Sequence, residues 1–404
     1  MIYKYILKLD KEFIFDFITL IFGITAIYFI VWSFTGQWPW STNYYNSFAL
    51  QADAWRSGNL DLGRDYSFLE LAIYNGKYYV SFPPFPSFLI FPFTVFFGSK
   101  TPDHFIALFS SWLGAFYALR LLRRFHKKDH LFWILFLMVG SNLLYVSVNG
   151  WVWFLAQNMA FTLSIMALYY AVAGKGGLSM ACWAFSVGCR PFQVIYAPVL
   201  LYILYKQMEP AYKMTDIIKR YFLWAVPTML IASVYMALNY ARFGSIIEFG
   251  HNYLPEFTDA EHGQFSSIYL KENFKRLFRL PKLGQDGVLD FHKFDGVAFW
   301  LVNPIVISYL IYYVSRCTRK YVDKVLLIVI PVLIALHLFL ICLHKTLGGW
   351  HFGNRYTIDF LPFMFYSLLC LTSYKNDWLM RFQYPIFIFG LALNVAGTIH
   401  SYTV

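Results

Sequence analysis

The chain has 404 residues, of which 59% are hydrophobic and 22% aromatic, while only 14% are charged. A soluble domain of this length has too little interior to bury so much apolar surface, so the composition excludes an ordinary soluble enzyme and predicts a polytopic membrane protein. The net charge of +11 does not indicate nucleic-acid binding, because basic residues at the cytoplasmic ends of membrane helices set topology and contact anionic lipids.

The first membrane-length apolar run, about residues 15–34, is followed by a polar stretch at 38–86 that is rich in turns, charges and aromatic residues. Within this stretch, residues 46–57 have helical periodicity and precede Gly58, which predicts a helix lying on the membrane surface. The next apolar run, at 83–98, is short and contains several prolines, which favours an interfacial segment over a membrane span.

The distribution of charge also bears on residues 83–98. If that segment crossed the membrane, the next helix, about 103–122, would deliver a basic block to the outside. An interfacial segment leaves this block in the cytoplasm, as the positive-inside rule prefers. The block comprises Arg120, Arg123, Arg124, Lys127 and Lys128. We therefore predict a cytoplasmic N-terminus and place the acidic loops outside.

Further apolar runs complete a predicted bundle of about eleven membrane-crossing helices. After 103–122 they cover about 131–148, 151–173, 178–189, 191–205, 221–240, 297–314, 325–343, 360–373 and 384–400. The fold class is thus an all-α polytopic membrane protein, with a single membrane-embedded domain over residues 1–404. Its long outer segments are 37–102, 241–296 and 344–359. We expect the functional site where these segments converge.

Asp53 is the first candidate for catalysis. It lies on the predicted surface helix, and Arg56 follows three residues later, so the two side chains share a helix face. A carboxylate near apolar walls can have a raised pKa and act as a general base. The alternative is an ordinary surface salt bridge between the two side chains.

A second candidate is the segment at 348–362, GGWHFGNRYTIDFLP, which joins an outer loop to a helix. Arg355 and Asp359 are four residues apart, so they are predicted to share a face at the start of the helix. Arginine presents a planar fork of donors that suits phosphate, and the free N–H groups of a helix N-terminus add positive potential. The pattern indicates a phosphate clamp; the alternative is that Asp359 neutralises Arg355 and both are structural.

Other polar groups adjoin the predicted spans. Arg190 lies in otherwise apolar sequence, which makes it either a functional residue at membrane depth or an arginine that reaches the interface. Arg242, Glu248 and His251 follow a span and indicate either an acceptor or lipid-phosphate contact or a structural turn. The basic run at 271–282 has amphipathic spacing, which is typical of a helix that faces solvent or lipid headgroups.

Motifs for soluble nucleotide chemistry and for metal binding are missing from the sequence. The five cysteines lie in or beside apolar runs without a CxxC motif, which predicts neither a disulfide framework nor a cysteine metal site. No P-loop, GxSxG, HExxH or dinucleotide fingerprint occurs. Because no dense carboxylate cluster is visible either, we expect no cofactor and no obligatory metal.

In arrangement, the chain resembles the GT-C superfamily of integral-membrane glycosyltransferases, which includes the protein O-mannosyltransferases and the lipid A aminoarabinose transferases. The resemblance rests on one helix, an outer loop with a surface helix, an interfacial segment that starts at Pro-Pro and ends in FG, and a helix leading to a basic cytoplasmic turn. The chain is also similar to a bacterial branch with stretches like ADAWRSGNLDL, YNGKYYVSFPP, RFGSIIEFG and GGWHFGNRYTIDFLP.

The resemblance implies a glycosyltransferase of a bacterial cytoplasmic membrane that moves a sugar from a polyprenyl-phosphate donor to a cell-envelope glycan or lipid acceptor on the outer side. It makes Asp53 the candidate base and Arg56 and Arg355 candidates for holding the lipid phosphate. Together with the patterns above, the candidate phosphate-binding residues are Arg56, Arg190, Arg242 and Arg355. The candidate substrate-binding residues are Asn43, Tyr44, Tyr79, Glu248, His251, Trp350 and Asp359.

The chain departs from those enzymes in its acidic residues. Their acid is an Asp–Glu pair nearer the first helix, at a place that falls near Asn43 here. Gln157 and Asn158 stand where a second acid is expected, and neither amide can act as a base. The alternative function is a carrier or flippase for a lipid-linked sugar.

Overall fold

The computed structural model describes residues 10–125, 129–208, 212–284, 287, 289–320, 322–372 and 377–403. Lys127 and Lys128 of the predicted basic turn, and residue 373 at the end of a predicted span, lie outside these ranges. The described chain is mostly helical, and its sheet structure consists of short antiparallel hairpins. The predicted all-α class is therefore confirmed.

The elements follow one another in this order. The first helices are α1 (Lys11–Thr35), α2 (Ser47–Arg56), α3 (Phe85–Ile90), α4 (Thr94–Phe97), α5 (Asp103–Arg124), α6 (His130–Val139), α7 (Leu143–Ser147), α8 (Val152–Val172) and α9 (Gly176–Val187). The later helices are α10 (Ala197–Lys206), α11 (Met214–Phe243), α12 (Pro255–Thr258), α13 (Leu270–Leu277), α14 (Phe299–Val302), α15 (Ile305–Arg316), α16 (Lys324–Cys342), α17 (Leu361–Leu371) and α18 (Met380–Thr403). Strand β1 (Leu71–Tyr74) pairs with β2 (Lys77–Val80), and β3 (Lys282–Leu283) pairs with β4 (Leu289–Asp290).

Within the described ranges, six helices are long and apolar enough to cross a membrane, namely α1, α5, α8, α11, α16 and α18. Eleven crossing helices are therefore not confirmed. The other predicted spans contain helices of 10 to 12 residues, namely α6, α9, α10, α15 and α17. A straight helix of that length extends about 15–18 Å, well short of a hydrocarbon core of about 30 Å.

Polar residues and prolines interrupt the shorter helices. Asn142 follows α6, where its backbone N–H donates to Asn303 Oδ1 at 3.0 Å and its side chain donates to Phe352 O at 3.1 Å. Asn303 in turn precedes Pro304, which interrupts the apolar run between α14 and α15. These two breaks lie next to each other in the interior. Backbone groups that no longer pair within a helix therefore find hydrogen-bond partners among the residues of the other break and its neighbours.

Helix α8 lies at the centre of the helical assembly, and 89% of its apolar stretch is buried. Helices α5, α9 and α17 pack around it. The amide of Asn158 on α8 donates to Ala107 O of α5 at 2.8 Å, which satisfies a polar group in an apolar interior. Helix α11 packs on α9 at the edge, and none of its apolar stretch is buried, as expected for a helix that faces lipid.

The first predicted outer segment contains the predicted helix and a hairpin that the sequence analysis did not predict. The predicted helix is α2, preceded by Asn46 and followed by Ser57. Residues 83–98 form short helices and 3₁₀ turns instead of one membrane-length helix, in agreement with their prolines. The turn between β1 and β2 consists of Asn75 and Gly76, both with positive φ, as a two-residue hairpin turn requires.

Candidate functional site

A cavity of about 810 Å³ lies where the three predicted outer segments converge. Its lining includes Tyr45 and Glu70 from the first segment, His251 and Glu256 from the second, and His344, Trp350 and Arg355 from the third. Trp151 and Trp153 at the start of α8, and Arg190 between α9 and α10, also belong to the lining. Aromatic walls with a few convergent charged groups are typical of a ligand-binding site.

Arg355 lines the cavity and has no carboxylate partner among the residues that the structure describes. Its side chain is buried, and its Nε and Nη2 donate to Gly348 O at 3.1 and 2.8 Å. Its Nη1 has no hydrogen-bond partner in the same part of the chain. Burial lowers the pKa of Arg355, yet a guanidinium remains charged at neutral pH. Among the described residues, Arg355 therefore has a buried N–H donor without an acceptor and a charge without an ion-pair partner, and a bound anion would compensate that charge.

Gly348 makes the position of Arg355 possible. Its φ of +115° lies in the region that glycine adopts without strain. A Cβ atom at this residue would lie 2.9 Å from Arg355 Nε. A residue without a side chain therefore allows the Gly348 carbonyl to approach the guanidinium closely enough to accept two N–H bonds.

Arg190 differs from Arg355 because its charge is compensated. Its Nε donates to Asp359 Oδ2 at 3.1 Å. Gln157 of α8 donates to Asp359 Oδ1 at 2.9 Å and to Arg355 O at 2.6 Å. Both arginines contact the ring of Tyr356, because the guanidinium carbon of each lies 4.7 Å from the centroid of that ring. The cavity thus holds a pair of guanidinium groups with one buried carboxylate behind them.

Asp359 does not neutralise Arg355, contrary to the alternative considered from sequence. Residues Arg355–Phe360 form a 3₁₀ turn, not the first turn of an α-helix. In a 3₁₀ helix, with about three residues per turn, side chains four residues apart point about 120° apart. The prediction that the two side chains share a face was therefore wrong, and Asp359 is left to pair with Arg190.

Glu70 brings a carboxylate to the cavity. It precedes β1, and its Oε2 accepts a hydrogen bond of 2.8 Å from Trp153 Nε1. Protein surrounds the carboxylate, although the open cavity leaves it accessible to solvent. This burial raises the pKa of Glu70, while the Trp153 hydrogen bond and the Arg355 charge act in the opposite direction. Glu70 can therefore exchange a proton with a ligand bound beside Arg355.

A pair of histidines lines the cavity in neutral form. The ring centroids of His251 and His344 are 6.2 Å apart. Burial lowers the pKa of His251 to about 3 and that of His344 to about 4. His251 Nδ1 must donate to Ser81 O, at 3.3 Å, which leaves Nε2 as an acceptor. Among the described residues, no group of three or more His, Cys, Asp or Glu side chains converges to hold a metal ion.

The structure places the predicted base, Asp53, outside this cavity. The buried face of α2 carries Phe48, Gln51 and Ala52, so Asp53 lies on another face. Its Oδ1 accepts a hydrogen bond of 2.7 Å from Arg56 Nη2. The Asp53 and Arg56 side chains are 28% and 44% exposed, which is the geometry of a surface salt bridge.

The other predicted residues divide between the cavity and its surroundings. Arg190, Arg355, His251 and Trp350 line the cavity, and Asp359 lies behind Arg190. Arg242 is buried and donates to Val80 O at 3.3 Å and to Asn239 Oδ1 at 3.1 Å. Tyr79 packs against Phe243, Tyr44 is exposed, and Glu248 accepts the backbone N–H of Gly250 at 2.6 Å. These last four residues do not line the cavity.

A carboxylate does lie beside Asn43, although the sequence analysis did not identify it. Asn43 Nδ2 donates to Asp103 Oδ2 at 3.0 Å and to Gly150 O at 2.9 Å. Asp103 is the first residue of α5 and is almost completely buried. It does not line the cavity, so Asn43 joins the first outer segment to α5 and to the residues that precede α8.

The sequence analysis also missed Glu70, Trp153 and His344. A signal for Glu70 was present, since the Asn-Gly pair within alternating apolar residues is typical of a hairpin, and Glu70 lies at the base of that hairpin. The resemblance to the GT-C superfamily rests on the arrangement of segments and motifs alone. A scan of protein-family models, a search of curated proteins and a search of solved structures each find no match to this chain.

Proposed function

We propose that this protein is a membrane-embedded glycosyltransferase that moves a sugar from a polyprenyl-phosphate donor to a cell-envelope glycan or lipid acceptor. One observation carries the proposal. Arg355, with no carboxylate partner among the described residues, and Glu70 line the same aromatic-walled cavity. Sugar transfer from a lipid phosphate needs a cation for the leaving phosphate and a base for the acceptor hydroxyl.

Arg355 is the main phosphate-binding group in this proposal. Its charge has no ion-pair partner among the described residues and suits a phosphate group, and Arg190 supplies a second guanidinium against the same Tyr356 ring. Because Asp359 compensates Arg190, Arg355 can bind an anion without two unpaired arginine charges being buried side by side. Charge that develops on the departing phosphate is therefore stabilised where it forms.

Glu70 takes the role of base in place of Asp53, which lies outside the cavity. Glu70 accepts the proton of the acceptor hydroxyl, and that oxygen attacks the anomeric carbon of the sugar. The bond between this carbon and the phosphate oxygen breaks, and polyprenyl phosphate leaves with the bonding electron pair. Attack from the face opposite the leaving group inverts the anomeric carbon, and Glu70 then returns its proton to water.

The aromatic walls suit the remaining parts of both substrates. Tyr45, Trp151 and Trp153 form a cluster, with the Tyr45 ring centroid 5.0 and 5.1 Å from those of the two tryptophans. Aromatic faces stack on the apolar faces of sugars, and this cluster adjoins Glu70. Trp350 and Phe294 are in edge contact at the cavity and largely exposed, which fits the apolar prenyl chain.

We place the cavity on the outer side of a bacterial cytoplasmic membrane, with the N-terminus inside. Helix α5 begins near the cavity, because Asn43 joins Asp103 to Gly150 beside the cavity-lining Trp151. The far end of α5 carries Arg120, Arg123 and Arg124. Basic residues concentrate on the cytoplasmic side of membrane proteins, which supports this orientation.

The proposal is tested with the purified full-length protein, a panel of labelled polyprenyl-phosphate sugars and cell-envelope acceptors. We expect the wild type to transfer sugar and Glu70→Gln to lower kcat about 100-fold or more, because it removes the base. Arg355→Gln should lower kcat/KM about 10- to 100-fold, because it removes a charged hydrogen bond to phosphate. Asp53→Asn should change either quantity by less than about threefold, since surface ion pairs contribute little.

Glu261→Gln is the matched control, because Glu261 is an exposed carboxylate of the second outer segment outside the cavity. Thermal unfolding of every variant separates loss of activity from loss of folding. Full activity in Glu70→Gln with loss of activity in Asp53→Asn would return the base to Asp53. If no donor supports transfer but labelled lipid-linked sugar crosses a reconstituted bilayer, the protein is instead a carrier for that lipid.

A further inference from the structure

Helix α13 presents an exposed stripe of alternating lysine and phenylalanine. Lys271, Phe274 and Lys275 lie in α13, and Phe278 directly follows its last residue. The two lysines are four residues apart, as are the two phenylalanines, and each phenylalanine is three residues after a lysine, which places all four side chains on one face. All are exposed, and the ring centroids of Phe274 and Phe278 are 5.2 Å apart. In the described part of the chain, neither lysine has a carboxylate within ion-pair distance. The stripe therefore combines uncompensated positive charge with exposed apolar rings.

The opposite face of α13 is fixed to the protein. Asn273 is buried, and its side chain donates to Cys342 O at 3.2 Å and to His344 O at 2.6 Å. Leu277 is also buried, and Arg276 forms an ion pair with the buried Asp295. These contacts fix the rotation of α13 about its axis, so the stripe must point away from the protein.

The contacts of Asn273 also set the depth of α13 in the membrane. They join it to the end of α16, an apolar helix of 19 residues over Lys324–Cys342. Such a helix is about 28 Å long, close to the thickness of a hydrocarbon core. The end of α16 therefore lies near the boundary between acyl chains and headgroups. His344 lines the cavity, so α13 lies at the boundary on the cavity's side.

We propose that this stripe binds anionic phospholipid in the leaflet on the cavity's side. Lys271 and Lys275 contact the phosphate headgroups, and Phe274 and Phe278 insert at the top of the acyl chains. The charge of the stripe selects anionic over neutral lipid. Its position at the membrane boundary and its two exposed rings favour a lipid surface over an acidic soluble protein, because acyl chains can take up the rings while phosphate headgroups contact the lysines.

The first test counts lipids on the full-length protein. The protein is reconstituted with phosphatidylcholine and phosphatidylglycerol, released into detergent, and examined by native mass spectrometry. We expect Lys271→Gln/Lys275→Gln to bind phosphatidylglycerol about thirtyfold more weakly than the wild type, and phosphatidylcholine equally. The control is Arg64→Gln/Lys77→Gln, which removes the same charge where Arg64 stacks on Tyr66 and Lys77 pairs with Asp61. Equal phosphatidylglycerol binding by the lysine variant and the wild type would overturn the proposal.

The second test measures depth. A spin label is attached at position 278 through Phe278→Cys, and at position 262 through His262→Cys, in a background with Cys317→Ser and Cys370→Ser. We expect the label at 278 to collide mainly with oxygen dissolved in the bilayer, and the label at 262 to collide mainly with a water-soluble nickel complex. A label at 278 that meets nickel as often as one at 262 would place the stripe in water and leave an acidic soluble partner as its ligand.

Discussion

Arg190 and Asp359 are 169 residues apart in the sequence, yet Arg190 Nε lies 3.1 Å from Asp359 Oδ2. The Asp359 side chain is fully buried and that of Arg190 is 16% exposed. The pair joins the turn between α9 and α10 to the 3₁₀ turn that precedes α17. It also distinguishes the two cavity arginines, because Arg190 has a carboxylate partner and Arg355 has none among the described residues.

Asp359→Asn should destabilise the fold and strengthen anion binding. The substitution leaves Arg190 without its buried partner, and such a loss costs about 3 kcal/mol or more. The freed guanidinium should then bind a phosphate ligand more tightly. Thermal unfolding with and without inorganic pyrophosphate measures both effects, and we expect a lower melting temperature with a larger rise on adding the ligand. Asp290→Asn, at a largely exposed carboxylate, is the control, and equal melting behaviour of the two variants would contradict the prediction.

Trp153→Phe should move the acidic limb of the pH–activity profile to higher pH. The Trp153 N–H stabilises the charged form of Glu70 and so lowers its pKa against the larger effect of burial. Removing that donor raises the pKa of Glu70 further. A base must be deprotonated to act, so a higher pKa reduces kcat/KM at acidic pH and leaves it nearly unchanged at alkaline pH. The pH dependence of kcat/KM is the measurement.

Trp378→Phe is the control for this profile, because the Trp378 ring is exposed and distant in sequence from the cavity residues. Its profile should coincide with that of the wild type. If Trp153→Phe lowers activity equally at every pH, the role of Trp153 is packing and Glu70 is not the titrating base.

Gly348→Ala should weaken phosphate binding more than Gly349→Ala does. Both glycines have positive φ, so alanine is strained by about 1 kcal/mol or more at either position. At Gly348 the added Cβ would also lie 2.9 Å from Arg355 Nε, whereas at Gly349 it would meet nothing within 4 Å. We expect a KM for the donor at least about fivefold higher in Gly348→Ala than in Gly349→Ala. Equal KM values would show that the position of Arg355 does not depend on Gly348.

Asn43→Asp should destabilise the protein at neutral pH and recover part of the loss in acid. The new carboxylate would lie about 3 Å from Asp103 Oδ2, where Asn43 Nδ2 now donates, and like charges that close cannot both remain ionised at low cost. The melting temperature at pH 7 and at pH 5 measures the effect. Asn43→Ser removes the same hydrogen bonds without adding a carboxylate beside Asp103, so its loss should change less with pH than that of Asn43→Asp. A pH-independent loss in Asn43→Asp would contradict the prediction.

The sequence by itself determined the long helices and the positions of the polar segments between them. An apolar run that enters a membrane must satisfy its own backbone hydrogen bonds, so a helix follows from local composition alone. The predicted runs at 103–122 and 151–173 accordingly correspond to α5 and α8 within a few residues. Helix α2 was predicted from local sequence in the same way, because its periodicity and the glycine that follows it are properties of one short stretch.

The sequence did not determine how the interrupted runs end or which charges pair. The run at 131–148 divides into α6 and α7 because Asn142 finds partners at Asn303 and Phe352, more than a hundred residues away. Arg355 and Asp359 separate because a 3₁₀ turn replaces the expected α-helical turn. Spacing predicts contacts only when the local helix type is known, and here interactions across the molecule set that type.

Only the tertiary structure determines which of the two carboxylates, Asp53 or Glu70, lines the cavity. Both are carboxylates of the same outer segment, and each has aromatic and basic neighbours in the sequence. The buried face of α2 turns Asp53 toward Arg56, whereas the hairpin carries Glu70 to Trp153, 83 residues further along the chain. Composition and periodicity describe how a segment folds on its own. Which of its side chains faces a cavity depends on the packing of segments that are far apart in the sequence.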